Sequence, residues 1–397
     1  MKKSPSKTAW QYGPVAAAVT AVILVVLCIW GLDNLFSHDY PTVSPEHALI
    51  HAPHPKRVLS GPLPTGVVFK VVDFTQASTG YVAGAGVIFE TLDGGTDWGR
   101  VYHGSVDVSG LEMVSAQVGY AWGQAGNSTT VLKTIDGGAQ WAVAGRVPAR
   151  GIHVASWPTS QVGYVVTLKR DLLKTSNGGE TWTILKQPAE SVSFVTAAKG
   201  WVLERSTVYS TRNGGKSWTS SQLIIPSVPT HRVMIGGEIR SAPDGAVWVM
   251  LPGGAGMNQE SYTLYRSVSG IHWTAVMARN TAGAGPAPSA AAVSGPGLSP
   301  GPMDPVSDHD AFASGMCWAC GEAGTWQVVG TTDGGKHWSP PSRPYGALPG
   351  LLQSPYSISF PDRTTGYVLA TSFSSRQHLT RLYKTTNAGR SWTLISR

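Results

Sequence analysis

The sequence predicts an all-β fold, a seven-bladed β-propeller of four-stranded antiparallel blades, preceded by one N-terminal transmembrane helix. Three observations lead there. An octet of the form Thr-x-Asp/Asn-x-Gly-x-x-Trp recurs along the chain. A Gly-aromatic pair precedes most copies. A single uncharged stretch lies near the N-terminus.

The octet reads TLDGGTDW at 91–98, TIDGGAQW at 134–141, TSNGGETW at 175–182, TRNGGKSW at 211–218, TTDGGKHW at 331–338 and TTNAGRSW at 385–392. A worn copy, RSVSGIHW at 266–273, keeps only Gly270 and Trp273. Each position has a local physical task. Asp93, Asp136, Asn177, Asn213, Asp333 and Asn387 offer a short oxygen that accepts backbone N–H groups just ahead and fixes a turn. Gly95, Gly138, Gly179, Gly215, Gly335 and Gly389 supply positive φ without steric cost. Trp98, Trp141, Trp182, Trp218, Trp338 and Trp392 then cover the turn as the next strand starts. The octet is therefore a hairpin turn between two strands. Asp and Asn interchange at its third position, which suits a turn acceptor and not a catalytic carboxylate.

The second mark is Gly80-Tyr81, Gly119-Tyr120, Gly163-Tyr164, Gly200-Trp201 and Gly366-Tyr367, with looser versions at Trp248 and Phe312. Seven residues upstream stands a large apolar side chain: Phe74, Met113, Trp157, Phe194 or Phe360. Each unit thus reads as four short strands, and the Trp spacings of 36 to 65 residues match a propeller blade. The blades are expected near 67–104, 108–147, 151–187, 190–224, 233–278, 308–345 and 354–397. No swapped strand joins the ends, so ring closure is expected to rest on packing between blades, with Arg57–Ser60 as a candidate addition to an edge.

The 397 residues carry only 13% charged side chains, a net charge of +7, 47 Gly and 15 Trp. Three of the positive charges are Lys2, Lys3 and Lys7. The remaining body is too weakly basic for nucleic acid. Residues 14–32 hold no charge and approach the ~20 residues of a membrane-spanning helix. Lysines before them and Asp33 and Asp39 after them put residues 1–13 in the cytoplasm and the remainder outside it. The expectation is an uncleaved signal anchor in the plasma membrane, with a cleaved signal peptide as its rival. Residues 33–66 read as a Pro/His-rich stalk. Residues 280–305, rich in Ala, Gly, Pro and Ser, read as a disordered insertion.

The octets resemble Asp-box, or BNR, repeats, found in sialidases and sortilin-type receptors. Together with the Gly-Tyr strand starts they are most similar to propellers of the photosystem II assembly/stability-factor-like family. The resemblance spans about 67–397. It implies the propeller fold, while members of the broad group range from hydrolases to assembly chaperones and receptors. The expected role is a protein that binds another protein, a membrane-complex subunit, and no cofactor or metal is expected.

Where a site would lie follows from propeller geometry. The octets occupy one face. The second-to-third-strand loops and blade links occupy the other, and variable loops there are the place for function. Units five to seven carry the long ones, at 251–258, 315–321 and 372–379, and together with 280–305 they form the expected partner-facing sector. Arg363, Arg376, Arg381 and Lys384 make the last blade basic and form a candidate partner-binding patch, against a plainer reading as attraction across the closing seam. Cys317 and Cys320 are a candidate disulfide, since no second cysteine pair supports a zinc site.

No catalytic residue is assigned. A sialidase-like or other glycoside hydrolase is the alternative. The Arg-Ile-Pro element of sialidases is missing; Gly145-Arg-Val-Pro148 resembles it only faintly. Asp107, Glu112, Asp171, Glu190, Glu204, Glu238, Glu260 and Glu322 show no spacing that pairs two carboxylates, as a two-carboxylate glycosidase needs.

Overall fold

The structure, a computed structural model, describes residues 60–223, 236–317, 325–342, 352–373 and 378–396. Blade one holds β1 (Val71–Phe74), β2 (Gly80–Gly84), β3 (Val87–Thr91) and β4 (Gly99–His103). Blade two holds β5 (Asp107–Met113), β6 (Gly119–Ala125), β7 (Ser128–Thr134) and β8 (Ala142–Val147). Blade three has β9 (Ile152–Ser156), β10 (Gly163–Thr167), β11 (Asp171–Thr175) and β12 (Thr183–Pro188). Blade four has β13 (Ser191–Phe194), β14 (Gly200–Glu204), β15 (Thr207–Thr211) and β16 (Thr219–Gln222). Blade five comprises β17 (Glu238–Ser241), β18 (Val247–Gly256), β19 (Gln259–Ser267) and β20 (Thr274–Arg279). Blade six comprises β21 (Ser299–Pro305), β22 (Ala311–Cys317) and β23 (Thr325–Thr331). Blade seven comprises β24 (Leu352–Ser359), β25 (Gly366–Phe373), β26 (His378–Thr385) and β27 (Thr393–Leu394).

All pairings are antiparallel and follow chain order within each sheet. In blade six a single bridge from Val328 to Ser342 marks the place of a fourth strand. The first strands β1, β5, β9, β13, β17, β21 and β24 adjoin one another in that order, and β24 adjoins β1. The ring is closed, and its first strands surround a central channel. No helix among the described residues is long and apolar enough to cross a membrane. The apolar stretch 14–32 and most of the stalk lie outside the described residues, as do Arg57–Leu59. Ser60 and Gly61 are described, and they pair with the backbone of Trp98.

The buried apolar residues form seven clusters, and each straddles one seam between blades. Phe74, Val82 and Trp98 of blade one meet Tyr367, Leu369 and Leu382 of blade seven. Tyr120 and Val131 meet Trp157 and Val165; Leu203 and Val208 meet Val247 and Val249. The remaining four seams follow the same plan. A single blade cannot cover its own apolar faces, so the ring is held by burial between blades.

The two sequence marks meet at these seams. The ring of Phe74, opposite Gly80 in the β1–β2 register, covers that glycine. Its other face stacks on Tyr367 of the preceding blade, 3.3 Å between centroids. Trp157 lies the same way between Gly163 and Tyr120 (3.6 Å), and Phe194 between Gly200 and Tyr164 (3.5 Å). The Tyr hydroxyl then donates to a carbonyl of the following blade: Tyr120 to Ser160 at 2.6 Å, Tyr164 to Ala197 at 2.9 Å, Tyr367 to Ala77 at 2.8 Å.

The octets lie between the third and fourth strands. In the copy at 175–182, Thr175 Oγ1 accepts from Gly179 N (3.0 Å) and donates to Asn177 Oδ1 (2.9 Å). Asn177 Oδ1 accepts from Thr181 N, and Trp182 Nε1 donates to Gly179 O. The same Thr–Asp/Asn–Gly bonds recur at 91–95, 134–138, 211–215, 331–335 and 385–389. Thr175 is fully buried. Thr175→Val keeps its shape but leaves the Gly179 amide without an acceptor, at a cost of about 1–3 kcal/mol. A urea unfolding midpoint measures that loss.

Residues 280–305 do not follow the expectation of disorder. Ser261 Oγ donates to Pro286 O, Thr263 Oγ1 to Ser289 O, and the Tyr262 hydroxyl to Pro296 O. The last seven of these residues are β21, the first strand of blade six. Composition predicts disorder because Ala, Gly and Pro carry little surface to bury. Here the acceptors are backbone carbonyls and the donors sit on β19, so side-chain composition is not the relevant quantity. A deletion of 282–302 would remove part of a blade.

Candidate functional site

Strand length distinguishes the two sides of the ring. The second and third strands have five residues each in blades one, three and four. They have ten and nine in blade five, and eight and eight in blade seven. The additional residues at 251–258 continue a hairpin whose tip, Met257-Asn258, has positive φ at both residues, as a two-residue turn of that hand requires. The segment 280–298 lies against this hairpin, through Gly283 N to Gln259 Oε1 and the three carbonyl contacts above. Blades five and seven therefore stand proud on the face opposite the octets.

On the same face, where blades two and three join, lies a cleft of about 450 Å³. Its walls are the β6–β7 turn at Asn127 and Ser128, the blade link at Pro148–Arg150, and the β10–β11 turn at Lys169. Arg146, Arg150 and Lys169 border it, with Asp171 as its one acid, and all four are exposed. Thr129 Oγ1 locks the link beneath them, donating to Ala149 O and accepting from Gly151 N, both at 2.7 Å. Arg170 points elsewhere, to Glu190 Oε1 at 3.3 Å. The cleft is a cation-lined hollow over a hydrogen-bonded link, suited to carboxylate or phosphate oxygens.

The three predicted patch residues that are described, Arg363, Arg381 and Lys384, do not form one surface. Lys384 donates to Gly94 O across the closing seam at 2.9 Å and lies over the Tyr367 ring. Lys133 and Lys174 repeat this arrangement at other seams. Lys384 is a seam residue, because a lysine one position before the octet reaches the following blade's turn. Arg363 is exposed in the β24–β25 turn on the octet face, Arg381 is half-buried within β26, and Arg376 lies outside the described residues. Cys317, buried at the end of β22, is disulfide-bonded; Cys320 lies outside the described residues. Among the described residues no group of three or more His, Cys, Asp or Glu could hold a metal ion.

The channel holds a cluster that spacing along the chain does not reveal. At the end of each first strand, in its last or last-but-one position, stand Asp73, Glu112, Ser156, Ser193, Arg240, Asp304 and Ser359 in blades one to seven. Asp73 accepts from Met113 N at 2.9 Å, Glu112 from Trp157 N at 3.2 Å, and Asp304 from Phe360 N at 2.6 Å. Ser156, Ser193 and Ser359 accept likewise from Phe194, Ser241 and Phe74. Partial burial in the channel pushes Asp73 up to about 6 and Glu112 and Asp304 up to about 7, against the pull of those amides and of Arg240. Arg240 is bonded to Glu238 at 2.8 Å. Its side chain is half exposed; the loss of solvation that remains works against its charge, but Glu238, Asp304 and Glu112 outweigh it and hold it protonated. The signal that would have exposed this ring is positional: eight residues before the aromatic of each unit, from Tyr81 to Tyr367, Trp248 and Phe312 included.

No family profile matches the chain, and a search of curated proteins finds no relative. Solved structures do resemble it. YCF48 bound to a D1 peptide is similar at 16% identity with a TM-score of 0.52, over 85% of this chain and 98% of that one. A GH74 enzyme from Niastella koreensis is similar at 14% identity and 0.53, over 85% and 67%. The GH74 xyloglucanase from Xanthomonas campestris is similar at 13% and 0.56, over 86% of this chain and 56% of that longer one. At these identities the likeness is one of fold.

Proposed function

We propose that the chain is a membrane-anchored, extracytoplasmic propeller that binds an acidic segment of another protein, a subunit of a membrane complex, and assists its assembly or stability. The observation that carries this reading is the cleft bordered by Arg146, Arg150 and Lys169 on the face opposite the octets. The raised hairpins of blades five and seven shape the same face. The binding of a D1 peptide by YCF48 is consistent with a peptide partner, and the uncharged stretch 14–32 is the basis for the anchor.

The test is capture by the tagged full chain, solubilised from membranes, with mass spectrometry of what is retained. Arg146→Glu with Arg150→Glu reverses the cleft's charge at exposed positions. It is expected to abolish salt-sensitive capture of a specific partner while the melting temperature stays within about a degree. Equal capture by the variant would overturn the cleft as the docking surface.

Glycoside hydrolysis is the second reading, and one observation favours it: the channel gathers Asp73, Glu112, Glu238 and Asp304 around Arg240. Against it, three of these already accept a backbone amide from the adjoining blade. Turnover of a fluorogenic sialoside or a xyloglucan oligosaccharide, lost in Glu112→Gln, would reverse the order of the two readings.

A further inference from the structure

The channel ring has one irregular member, and its cause is in the sequence. At six seams the side chain at the ring position accepts the amide of the residue one further along in the next blade. At the seam between blades five and six that residue is Pro305, which has no N–H. The ring position of blade five is thereby released from the need for an acceptor, and it holds the donor Arg240. A cation there stands among carboxylates on β1, β5, β17 and β21.

We propose that this ring is a proton-operated clamp: the channel costs the partly buried carboxylates of Asp73, Glu112 and Asp304 hydration, with repulsion among them a smaller addition, Arg240 offsets part of that strain, and proton uptake tightens the ring. The clamp is independent of the cleft and of any partner. The charged groups facing it are Asp73 from β1, Glu112 from β5, Glu238 and Arg240 from β17, and Asp304 from β21. β9, β13 and β24 present Ser156, Ser193 and Ser359.

The sign follows from linkage. These carboxyls hold their protons more tightly in the folded ring than the ordinary values of 3.8 and 4.5 allow. Their stabilisation is complete below about pH 4 and is lost as pH rises through about 6 to 7. Turn hydrogen bonds, working against partial burial, hold Asp93 and Asp362 below the usual range. Those two stay ionised across the window from pH 5 to 8 and do not mask the effect.

The experiment is thermal unfolding of the detergent-purified full chain between pH 5 and 8. Wild type is compared with Asp73→Asn, Glu112→Gln and Asp304→Asn, singly and together, with Arg240→Gln, and with Asp171→Asn as an exposed control. Each amide keeps an oxygen for its backbone N–H. The wild-type melting temperature is expected to fall by several degrees from pH 5 to 8. The combined amide variant should be flat and melt above wild type at pH 8, and Arg240→Gln should steepen the fall. If the combined variant does not fold, the three single variants decide, each expected to remove part of the slope. Carboxyl carbon-13 NMR gives the second readout: resonances titrating between pH 6 and 7 should vanish in the matching variants. A wild-type melting temperature that is flat or rises from pH 5 to 8, or single variants that keep the full slope, would overturn the clamp.

Discussion

Tyr367→Ala is expected to lower stability by about 3–5 kcal/mol, the range for deleting a fully buried aromatic side chain. Tyr367 has no exposed surface. It stacks on Phe74, its hydroxyl donates to Ala77 O, and Lys384 lies over its ring. No covalent link spans its seam, which joins the last blade to the first. Tyr120→Ala removes the same stack at a seam whose blades are connected through residues 148–151. The two variants should lose similar free energy in urea, but limited proteolysis should nick the Tyr367 variant sooner, at blades one and seven. Tyr367→Phe isolates the hydroxyl, with an expected cost near ~1 kcal/mol. Equal protease resistance of the two alanine variants would show that this seam is no weaker than the rest.

Gly163→Ala carries the second large effect. A Cβ at Gly163 would come within 2.4 Å of Trp157 Cε3. The indole cannot retreat, because its far face stacks on Tyr120 at 3.6 Å and the edge of Trp182 meets it at 5.8 Å. One methyl group therefore displaces three rings, and about 2–3 kcal/mol is the expected loss. Trp157→Leu in the same background vacates the space and should recover part of it. The double-mutant cycle in urea measures that coupling; additive losses would mean that the clash is relieved by backbone movement instead.

The fold was legible because its determinants are local. Thr, Asp/Asn, Gly and Trp of each octet bond within eight residues, so the motif in the sequence is the turn in space. The Gly-aromatic marks were visible too, but their task was not. That Phe74 covers Gly80 is a cross-strand fact, and that it stacks on Tyr367 is a cross-ring fact spanning almost the whole propeller. Glu112 and Glu238 appeared as scattered acids, because the ring brings together positions from strands more than a hundred residues apart. Asp304 was passed over inside a stretch whose composition suggested disorder. Lys384 was read with Arg363 and Arg381 as one basic region, since charge counted along a strand ignores that its ends open on different faces. The cleft at Arg146, Arg150 and Lys169 is assembled from a strand end, a link and a turn, and no short window of sequence contains it.

The placement of every apolar cluster at a seam has a consequence for biosynthesis. A nascent chain cannot complete blade one's interior when blade one emerges, because half of it arrives with the C-terminus. Until translation ends, Phe74 and Leu63 present a bare surface matched to Tyr367 and Leu382, in this copy or in another emerging beside it. Crowded polysomes should thus favour exchanged dimers in which the last blade of one chain closes the circle of its neighbour, and slower initiation should favour the monomer.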